Sequence, residues 1–314
     1  MRDLRIVFMG TPEFAVTILK KLIKEDFNIV GVVTAPDKKA GRGRKIHESA
    51  IKKYAIKNKL KLLQPTNLKS EDFIYNLKAL KANLHVVVAF RMLPKLVWKM
   101  PSYGTFNLHA SLLPDYRGAA PIHWAIINGE KKTGVTTFFI DEKIDTGNII
   151  LQNEIIIHKD EIVGELHDRL MNLGANLVAE TVIKIKNNSV TTQKQKQNSQ
   201  KIAPKLFPEN CKIDWNNSID SIYDHIRGLN PFPAAWSEML NNDVVMPLKI
   251  YKVRKEKINH NEVIKNIITS KEEIKIAVNG GFIYIDQLKI SGKKKLDSKS
   301  LLNGYSFSTN AKML

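Results

Sequence analysis

Residues 4–25 read LRIVFMGTPEFAVTILKKLIKE and begin the pattern from which the fold class follows. Its first part is a short continuous apolar run that ends at Gly10, which is typical of a strand buried on both faces. Pro12 then suits the first turn of a helix. The apolar residues that follow recur at helical spacing, at Phe14, Ile18, Leu19, Leu22 and Ile23. The stretch therefore predicts a strand followed directly by a helix.

The same alternation continues through the first part of the chain. Strand-like runs lie near residues 28–34, 60–63, 83–89, 105–109 and 135–140. Helical periodicity lies near residues 48–57, 70–81, 120–127 and 163–184. This order predicts an α/β domain with a mainly parallel sheet covered on both faces, because helices supply the crossovers that parallel strands need. Ligands of such sheets bind beyond the carboxyl ends of the strands.

The second part of the chain has a different texture. Residues 188–206 are polar and lysine-rich and show no apolar period, which is typical of a linker. Residues 207–314 carry short apolar runs such as VVMPLKIYKV and GFIYIDQLKI, separated by Asn, Asp, Gly and Ser. The sequence therefore predicts one domain over 1–187, a basic linker over 188–206, and a small β-barrel or sandwich over 207–314.

The chain carries an excess of positive charge. Its 49 Lys and Arg residues outnumber 31 Asp and Glu residues, which gives a formal net charge of +18. Ten of the basic residues lie between positions 38 and 61 beside a single acid, and residues 181–205 hold six lysines and no acid. Such clustering favours a polyanionic partner, although a general lysine bias of the proteome would give a similar total.

Cysteine content, hydropathy and motifs exclude several classes of protein. The single cysteine, Cys211, cannot form an internal disulfide, and no Cys/His spacing typical of zinc occurs, so we expect no metal. No run approaches the ~20 apolar residues of a membrane span, and the first residues lack signal-peptide anatomy, so we expect a cytoplasmic protein. The first βα turn, GTPE at 10–13, lacks the G-x-G-x-x-G spacing, and no P-loop motif occurs.

Two polar side chains stand at the carboxyl end of the strand predicted at 105–109. Residues two apart on a strand face the same side, so Asn107 and His109 project together. A carboxamide donates to a developing oxyanion without changing charge, and an imidazole exchanges protons near neutral pH. Asp145 follows the next strand and is a candidate to orient His109 or to carry a proton. Ordinary capped turns use the same residue types, so this pattern alone leaves both interpretations open.

Several stretches, in order along nearly the whole chain, resemble the methionyl-tRNA formyltransferase family. They read FMGTPEFA (8–15), TAPDKKAGRGRK (34–45), NLHASLLPDYRGAAPI (107–122), TGVTTFFIDEKIDTGNII (133–150), KIDW (212–215), IRGLNPFPAAW (226–236) and SGKKK with LLNG (291–304). The resemblance implies a Rossmann-like, folate-binding catalytic domain and an OB-like, tRNA-binding β-barrel. It also implies transfer of the formyl group of 10-formyltetrahydrofolate to the α-amino group of initiator methionyl-tRNA.

By this resemblance the catalytic residues are Asn107, His109 and Asp145. The amine attacks the formyl carbon, and the oxyanion of the tetrahedral intermediate is held by the Asn107 carboxamide and by protonated His109. Asp145 keeps His109 oriented and helps to move the amine proton to the departing folate nitrogen. No metal is needed, because the donor brings its own activated carbon.

The resemblance also implies where the two substrates bind. The folate-contacting residues are Phe90, Arg91, Met92, Ser111, Leu112, Leu113 and Pro114. Many relatives have a glycine and one more residue where this chain reads AFRMLP (89–94), so we expect a different shape for the rim of the pterin pocket. A loop that contacts the tRNA acceptor stem corresponds to Gly41, Arg42, Gly43, Arg44 and Lys45. Arg117 either supports the catalytic loop or forms an ordinary surface ion pair.

Other functions stay open at this stage. Formyltransferases with small-molecule acceptors carry the same Asn-x-His and SLLP pattern, but sugar-nucleotide enzymes are not expected to have the AGRG insertion or so basic a linker. Folate-hydrolysing relatives use water as the acceptor, and an assay must separate them. A non-catalytic RNA-binding protein would use the basic loop and the barrel but would not require Asn107, His109 and Asp145. We expect the protein to be a monomer.

Overall fold

The structure is a computed structural model that describes residues 1–40, 45–196 and 201–314 of the chain. It divides into two compact units. The first unit comprises Met1–Gly118, Gly134–Ile155 and Asp168–Ile202, and the second comprises Ala119–Thr133, Ile156–His167 and Ala203–Leu314. The last boundary falls inside the linker predicted at 188–206. Two short segments from the predicted first domain are grouped with the second unit. The sequence does not predict this grouping, because order along the chain does not reveal which segments pack together.

Strands and helices alternate through the first two thirds of the chain, as the sequence predicts. The strands are β1 (Ile6–Gly10), β2 (Ile29–Val33), β3 (Lys38–Ala40), β4 (Lys45–His47), β5 (Leu62–Leu63), β6 (Leu84–Val88), β7 (Thr105–His109), β8 (Arg117–Gly118), β9 (Lys132–Phe139) and β10 (Ile149–Ile156). The helices are α1 (Glu13–Lys24), α2 (Ala50–Lys57), α3 (Glu71–Ala79), α4 (Lys95–Trp98), α5 (Pro121–Ile127) and α6 (Val163–Lys186).

The large sheet of the first unit is mainly parallel. Its strand order is β10-β9-β7-β6-β1-β2-β5. The neighbours from β7 to β5 run parallel, whereas β9 pairs antiparallel with β7. The chain moves from β1 outward through β2 to β5 and then returns to the other side of β1 at β6, so strand order reverses between β1 and β6. The predicted Rossmann-like fold class is confirmed, and ligands of such folds bind near this reversal.

The strand and helix predicted from residues 4–25 form the centre of the first unit. Ile6, Val7, Phe8 and Met9 have no exposed surface, and burial of each such side chain contributes about 1.5–3 kcal/mol. Gly10 permits the tight passage from β1 into α1. A Cβ at this position would lie 2.6 Å from the Cβ of Ala15 and 3.0 Å from the oxygen of Val88. The apolar run and the glycine together therefore fix this turn.

The second unit contains an antiparallel barrel. From residue 202 onward the elements are β11 (Ile202–Ala203), a 3-10 helix (Glu209–Cys211), α7 (Ile219–Gly228), β12 (Ala235–Asn241), β13 (Val244–Lys257), β14 (Ile267–Thr269), β15 (Ile274–Val278), β16 (Gly281–Ile290), β17 (Leu296–Asp297), α8 (Ser298–Leu302) and β18 (Lys312–Met313). The first residue of β11 belongs to the first unit, and α5 belongs to the second. The sheet order is β14-β15-β16-β13-β12-β18, with β17 beside β16.

The two ends of this barrel sheet meet. Asn266, just before β14, pairs antiparallel with Lys312 of β18, and the Ile267 amide donates to the Ala311 oxygen at 2.9 Å. The sheet is therefore a nearly closed barrel, and this decides between the barrel and the sandwich that the sequence leaves open. Cys211 is buried in the core of this unit. None of the helices formed by the described residues has both the length and the apolar character needed to cross a bilayer.

His85 couples the stability of the first unit to pH. It lies on β6 between Val7 and Thr105 and has no exposed surface. Burial lowers the pKa of His85 to about 4, although the nearby Val97 backbone opposes the shift. Between this value and the ~6.5 of a free imidazole the unfolded chain binds more protons than the folded one, so acid destabilises the fold.

We predict that the free energy of unfolding is about 2 kcal/mol lower at pH 5 than at pH 7.5 through His85 alone, at ~1.36 kcal/mol per pKa unit. Replacement His85→Leu removes this part of the pH dependence, whereas the same change at exposed His158 leaves it. Urea titrations at both pH values measure the effect. An unchanged difference between the two pH values in the His85 variant would contradict the assignment.

Candidate active site

The candidate site lies in the first unit, at the carboxyl end of β7. Asn107 pairs in register with Val87 of β6 and Phe138 of β9, and His109 pairs with Thr136 of β9. Both side chains face the same side of the sheet because they are two residues apart on one strand. His109 is 6% exposed and Asn107 is half-buried. The strand thus presents an imidazole and a carboxamide together at the edge where ligands of parallel sheets bind.

The orientation of the His109 ring comes from a backbone carbonyl. Its Nε2 lies 2.8 Å from the Tyr116 oxygen. A carbonyl oxygen only accepts hydrogen bonds, so Nε2 carries a proton and donates it. The other nitrogen, Nδ1, lies 3.7 Å from Oδ2 of Asp145. This distance is too long for a hydrogen bond but lets the carboxylate interact with a charged ring. Nδ1 is therefore the nitrogen that is able to exchange a proton with a substrate.

Asp145 lies in the loop between β9 and β10 with a φ of +55°. Its Oδ2 accepts a hydrogen bond from the Gly118 amide at 3.0 Å, and its side chain is 14% exposed. The structure therefore brings His109 and Asp145 together, as the sequence predicts. Sequence reasoning missed the Tyr116 carbonyl, because a backbone acceptor leaves no mark on residue type.

Asn107 differs from its two neighbours in the site. No described residue forms a hydrogen bond with its carboxamide, although the side chain is half-buried. Buried amides in folded proteins are normally paired, whereas this partly exposed carboxamide stays accessible to a molecule that enters the site. Its two N–H donors are available to a negative oxygen that enters the site.

The turn at 111–114 is held by two side chains that the sequence did not single out. Thr136 on β9 donates through Oγ1 to the Ser111 oxygen at 2.6 Å and accepts from the Leu113 amide at 3.1 Å. Gln152 on β10 donates to the Leu113 oxygen at 2.8 Å and to Oγ1 of Thr136 at 2.9 Å. Ser111 itself donates to the Asp115 oxygen at 2.6 Å. These bonds fix the backbone that follows His109.

Two of the three predicted rim residues, Arg91 and Met92, line a cavity. The Arg91 guanidinium donates to the Thr66 oxygen at 2.8 Å and to the Pro65 oxygen, and Met92 is 70% exposed. A cavity of about 430 Å³ is lined by residues 66–69 and 91–94. It includes Arg91 and Met92 but not Phe90, the 111–114 turn or the three candidate catalytic residues. One cavity therefore does not unite all the predicted folate contacts.

The structure describes only part of the loop that is predicted to contact tRNA. Gly41, Arg42, Gly43 and Arg44 lie outside the described residues. Ala40 at the end of β3 pairs antiparallel with Lys45 at the start of β4. Within the described part of the chain, no three His, Cys, Asp or Glu side chains gather in an arrangement that would hold a metal ion.

Gly147 controls the position of the Asp145 loop. A Cβ on Gly147 would lie 1.6 Å from the backbone oxygen of Phe139, so no side chain fits without movement of the loop. We predict that Gly147→Ala lowers the free energy of unfolding by about 1–3 kcal/mol. The matched control is Gly304→Ala, where nothing lies within 4 Å of the added Cβ. Urea titration measures the free energy of unfolding of both variants. Equal losses in the two variants would refute the steric argument.

Comparisons with known proteins place the chain in a family. The formyl transferase family model matches residues 4–182, and the model of the formyl transferase C-terminal domain matches residues 205–306. A methionyl-tRNA formyltransferase from Flavobacterium johnsoniae is 57% identical over 314 residues, which is 100% of both chains. One from Bacteroides thetaiotaomicron is 49% identical over 317 residues, covering 99% of this chain and 98% of the relative.

A solved structure supports the fold. It is that of WlaRD, described as a sugar 3N-formyl transferase in the presence of dTDP and 5-N-formyl-THF; it aligns with a TM-score of 0.66 at 22% identity, over 94% of this chain and 100% of the other. At that identity the likeness shows the shared architecture alone. The family models and the full-length relatives carry the assignment: the chain belongs to the formyl transferase family, among the methionyl-tRNA formyltransferases.

Proposed function

We propose that the protein transfers the formyl group of 10-formyltetrahydrofolate to the α-amino group of initiator methionyl-tRNA and so produces N-formylmethionyl-tRNA for translation initiation. The names of relatives with 57% and 49% identity over essentially the whole chain support this reaction. The observation that carries the chemistry is the Asn107 carboxamide, which forms no hydrogen bond with any described residue, beside the His109–Asp145 pair. The reaction needs an oxyanion donor and a proton carrier at one point, and these residues supply both.

The reaction forms one C–N bond and breaks another. The α-amino nitrogen attacks the formyl carbon, and the carbonyl electron pair moves onto the oxygen. Asn107 donates to this oxyanion, a contact that is worth ~2.7–4 kcal/mol of barrier in comparable sites. The bond from carbon to the folate nitrogen then breaks, and that nitrogen gains the proton that the amine has lost. The donor leaves as tetrahydrofolate.

His109 is the proton carrier in this scheme. Because its Nε2 proton is committed to the Tyr116 oxygen, only Nδ1 is able to receive a proton from the amine and return it to the leaving nitrogen. When Nδ1 is protonated, the ring carries a positive charge 3.7 Å from the Asp145 carboxylate. The Asp145 charge therefore stabilises the ring at the stage when it also faces the oxyanion.

The positive charge of the chain supports tRNA as the substrate. A net charge of +18 and the basic run between residues 38 and 61 provide attraction for phosphates. We propose that Gly41, Arg42, Gly43, Arg44 and Lys45 contact the acceptor stem. An Arg guanidinium pairs with phosphate through two parallel hydrogen bonds, which makes Arg42 and Arg44 suitable for that contact.

The test is a formylation assay with purified protein, 10-formyltetrahydrofolate and charged initiator methionyl-tRNA. We expect formylmethionyl-tRNA as the product, measured by mass spectrometry of the released amino acid. An amino-sugar nucleotide as acceptor and a reaction without acceptor serve as parallel controls for the sugar and hydrolase alternatives. Formylation of the sugar nucleotide or release of formate, without formylmethionyl-tRNA, would contradict the proposal.

In the same assay, we predict that Asn107→Ala lowers kcat by ~10²–10³, the usual cost of one oxyanion donor. The KM values for tRNA and folate stay within about threefold of the wild-type values, because the contact strengthens only in the transition state. His109→Ala lowers kcat at least as much. The matched control is Asn76→Ala, an exposed position on α3. Near-normal turnover by either site variant would remove these residues from the mechanism.

A further inference from the structure

We infer that Gln195 is a positioning residue for the formyl transfer, which it serves by fixing the loop that carries Asp145. Gln195 lies in the segment 188–206, which the sequence predicts as a linker. The inference rests on the proposed function, because the position of Asp145 matters for turnover only if Asp145 supports His109. The segment 188–206 thereby has a role in the first unit, although its composition indicates only flexibility and charge.

The Gln195 carboxamide is buried and fully paired. The side chain is 6% exposed, and its Nε2 donates to the backbone oxygens of Asp145 at 3.0 Å and Gly147 at 2.7 Å. Its Oε1 accepts from Arg117 at 2.6 Å from Nη2 and 3.1 Å from Nε. A carboxamide has two N–H donors and two acceptor lone pairs, and all four are used. Such complete pairing specifies one position for both partners.

The linker segment reaches this place through a short backbone pairing. The Gln193 amide donates to the Ile149 oxygen at 2.9 Å, and the Ile149 amide donates to the Gln193 oxygen at 2.8 Å. Ile149 is the first residue of β10, directly after the Asp145 loop. The Gln193 side chain is exposed, whereas that of Gln195 is buried. The pairing therefore sets the register that places Gln195 under the loop.

Gln195 connects the two backbone segments that surround the Asp145 carboxylate. On one side it holds the oxygens of Asp145 and Gly147; on the other it holds Arg117, whose neighbour Gly118 donates to Oδ2 of Asp145. The Asp145 backbone is left-handed, with a φ of +55°, a conformation that is uncommon for non-glycine residues and that surrounding contacts stabilise. Gln195 supplies such a contact at the residue itself, so its loss frees the carboxylate to move away from His109.

The residue type at 195 is specified by the mixed polarity of its partners. A glutamate in its place retains acceptors for Arg117 but points an oxygen at the two backbone carbonyls. A methionine fills a similar volume and makes neither set of bonds. Gln195→Glu and Gln195→Met therefore separate the contact with the Asp145 loop from the contact with Arg117.

The experiment measures kcat and both KM values for Gln195→Met and Gln195→Glu, with Gln193→Met as the matched control. We expect kcat to fall at least tenfold in both Gln195 variants, since misplacement by ~1 Å costs up to 10²-fold. In both Gln195 variants the KM values for tRNA and folate remain within about threefold of the wild-type values. Gln193→Met has the kcat and KM values of the wild type. If Gln195→Met does not fold, Gln195→Glu decides, because it keeps the side-chain volume and the Arg117 contact.

A double-mutant cycle tests whether the effect runs through Asp145. In an Asp145→Asn background, we expect Gln195→Met to lower the single-turnover rate of formyl transfer by less than about twofold. An equal loss in both backgrounds overturns the inference, and so does wild-type turnover by both Gln195 variants. A wild-type protein that produces no formylmethionyl-tRNA instead overturns the proposed function, and the inference falls with it.

Discussion

The hydrogen bond from His109 Nε2 to the Tyr116 oxygen is the constraint on which the proposed chemistry depends. It fixes the plane of the ring and assigns the tautomer, so that only Nδ1 is able to exchange a proton. The Tyr116 backbone is itself left-handed, with a φ of +60°, and its amide donates to the Lys201 oxygen at 2.8 Å. A residue from the predicted linker thus helps to hold the carbonyl that orients the imidazole.

The sheet gives these contacts a rigid base. β7 is paired with β6 on one side and β9 on the other, so Asn107 and His109 project from a strand that cannot move independently. Thr136 and Gln152, on β9 and β10, tie down the turn that follows. Gln195 and Gly118 do the same for Asp145. The candidate catalytic residues are few, and backbone and side-chain amides around them determine their positions.

Much of the fold and part of the candidate site follow from the sequence, for identifiable reasons. The apolar run before Gly10 and the helical period after it predict β1 and α1, because burial and periodicity are properties of residue type. The Asn-x-His spacing predicts a shared face for Asn107 and His109. The Tyr116 carbonyl is invisible at that level, because every residue has one. Gln195 is missed for another reason: its polar, lysine-rich surroundings predict a linker, and only tertiary contacts reveal that one amide of that segment is buried.

The nitrogen-15 chemical shifts of the His109 ring test its hydrogen bond to Tyr116, since they report which ring nitrogen carries the proton. We expect the neutral ring to be protonated at Nε2 and unprotonated at Nδ1, and we expect replacement of Asn107 to leave this pattern unchanged. A neutral ring protonated at Nδ1 would contradict the hydrogen bond to Tyr116 and would leave Nδ1 unable to accept the proton from the amine.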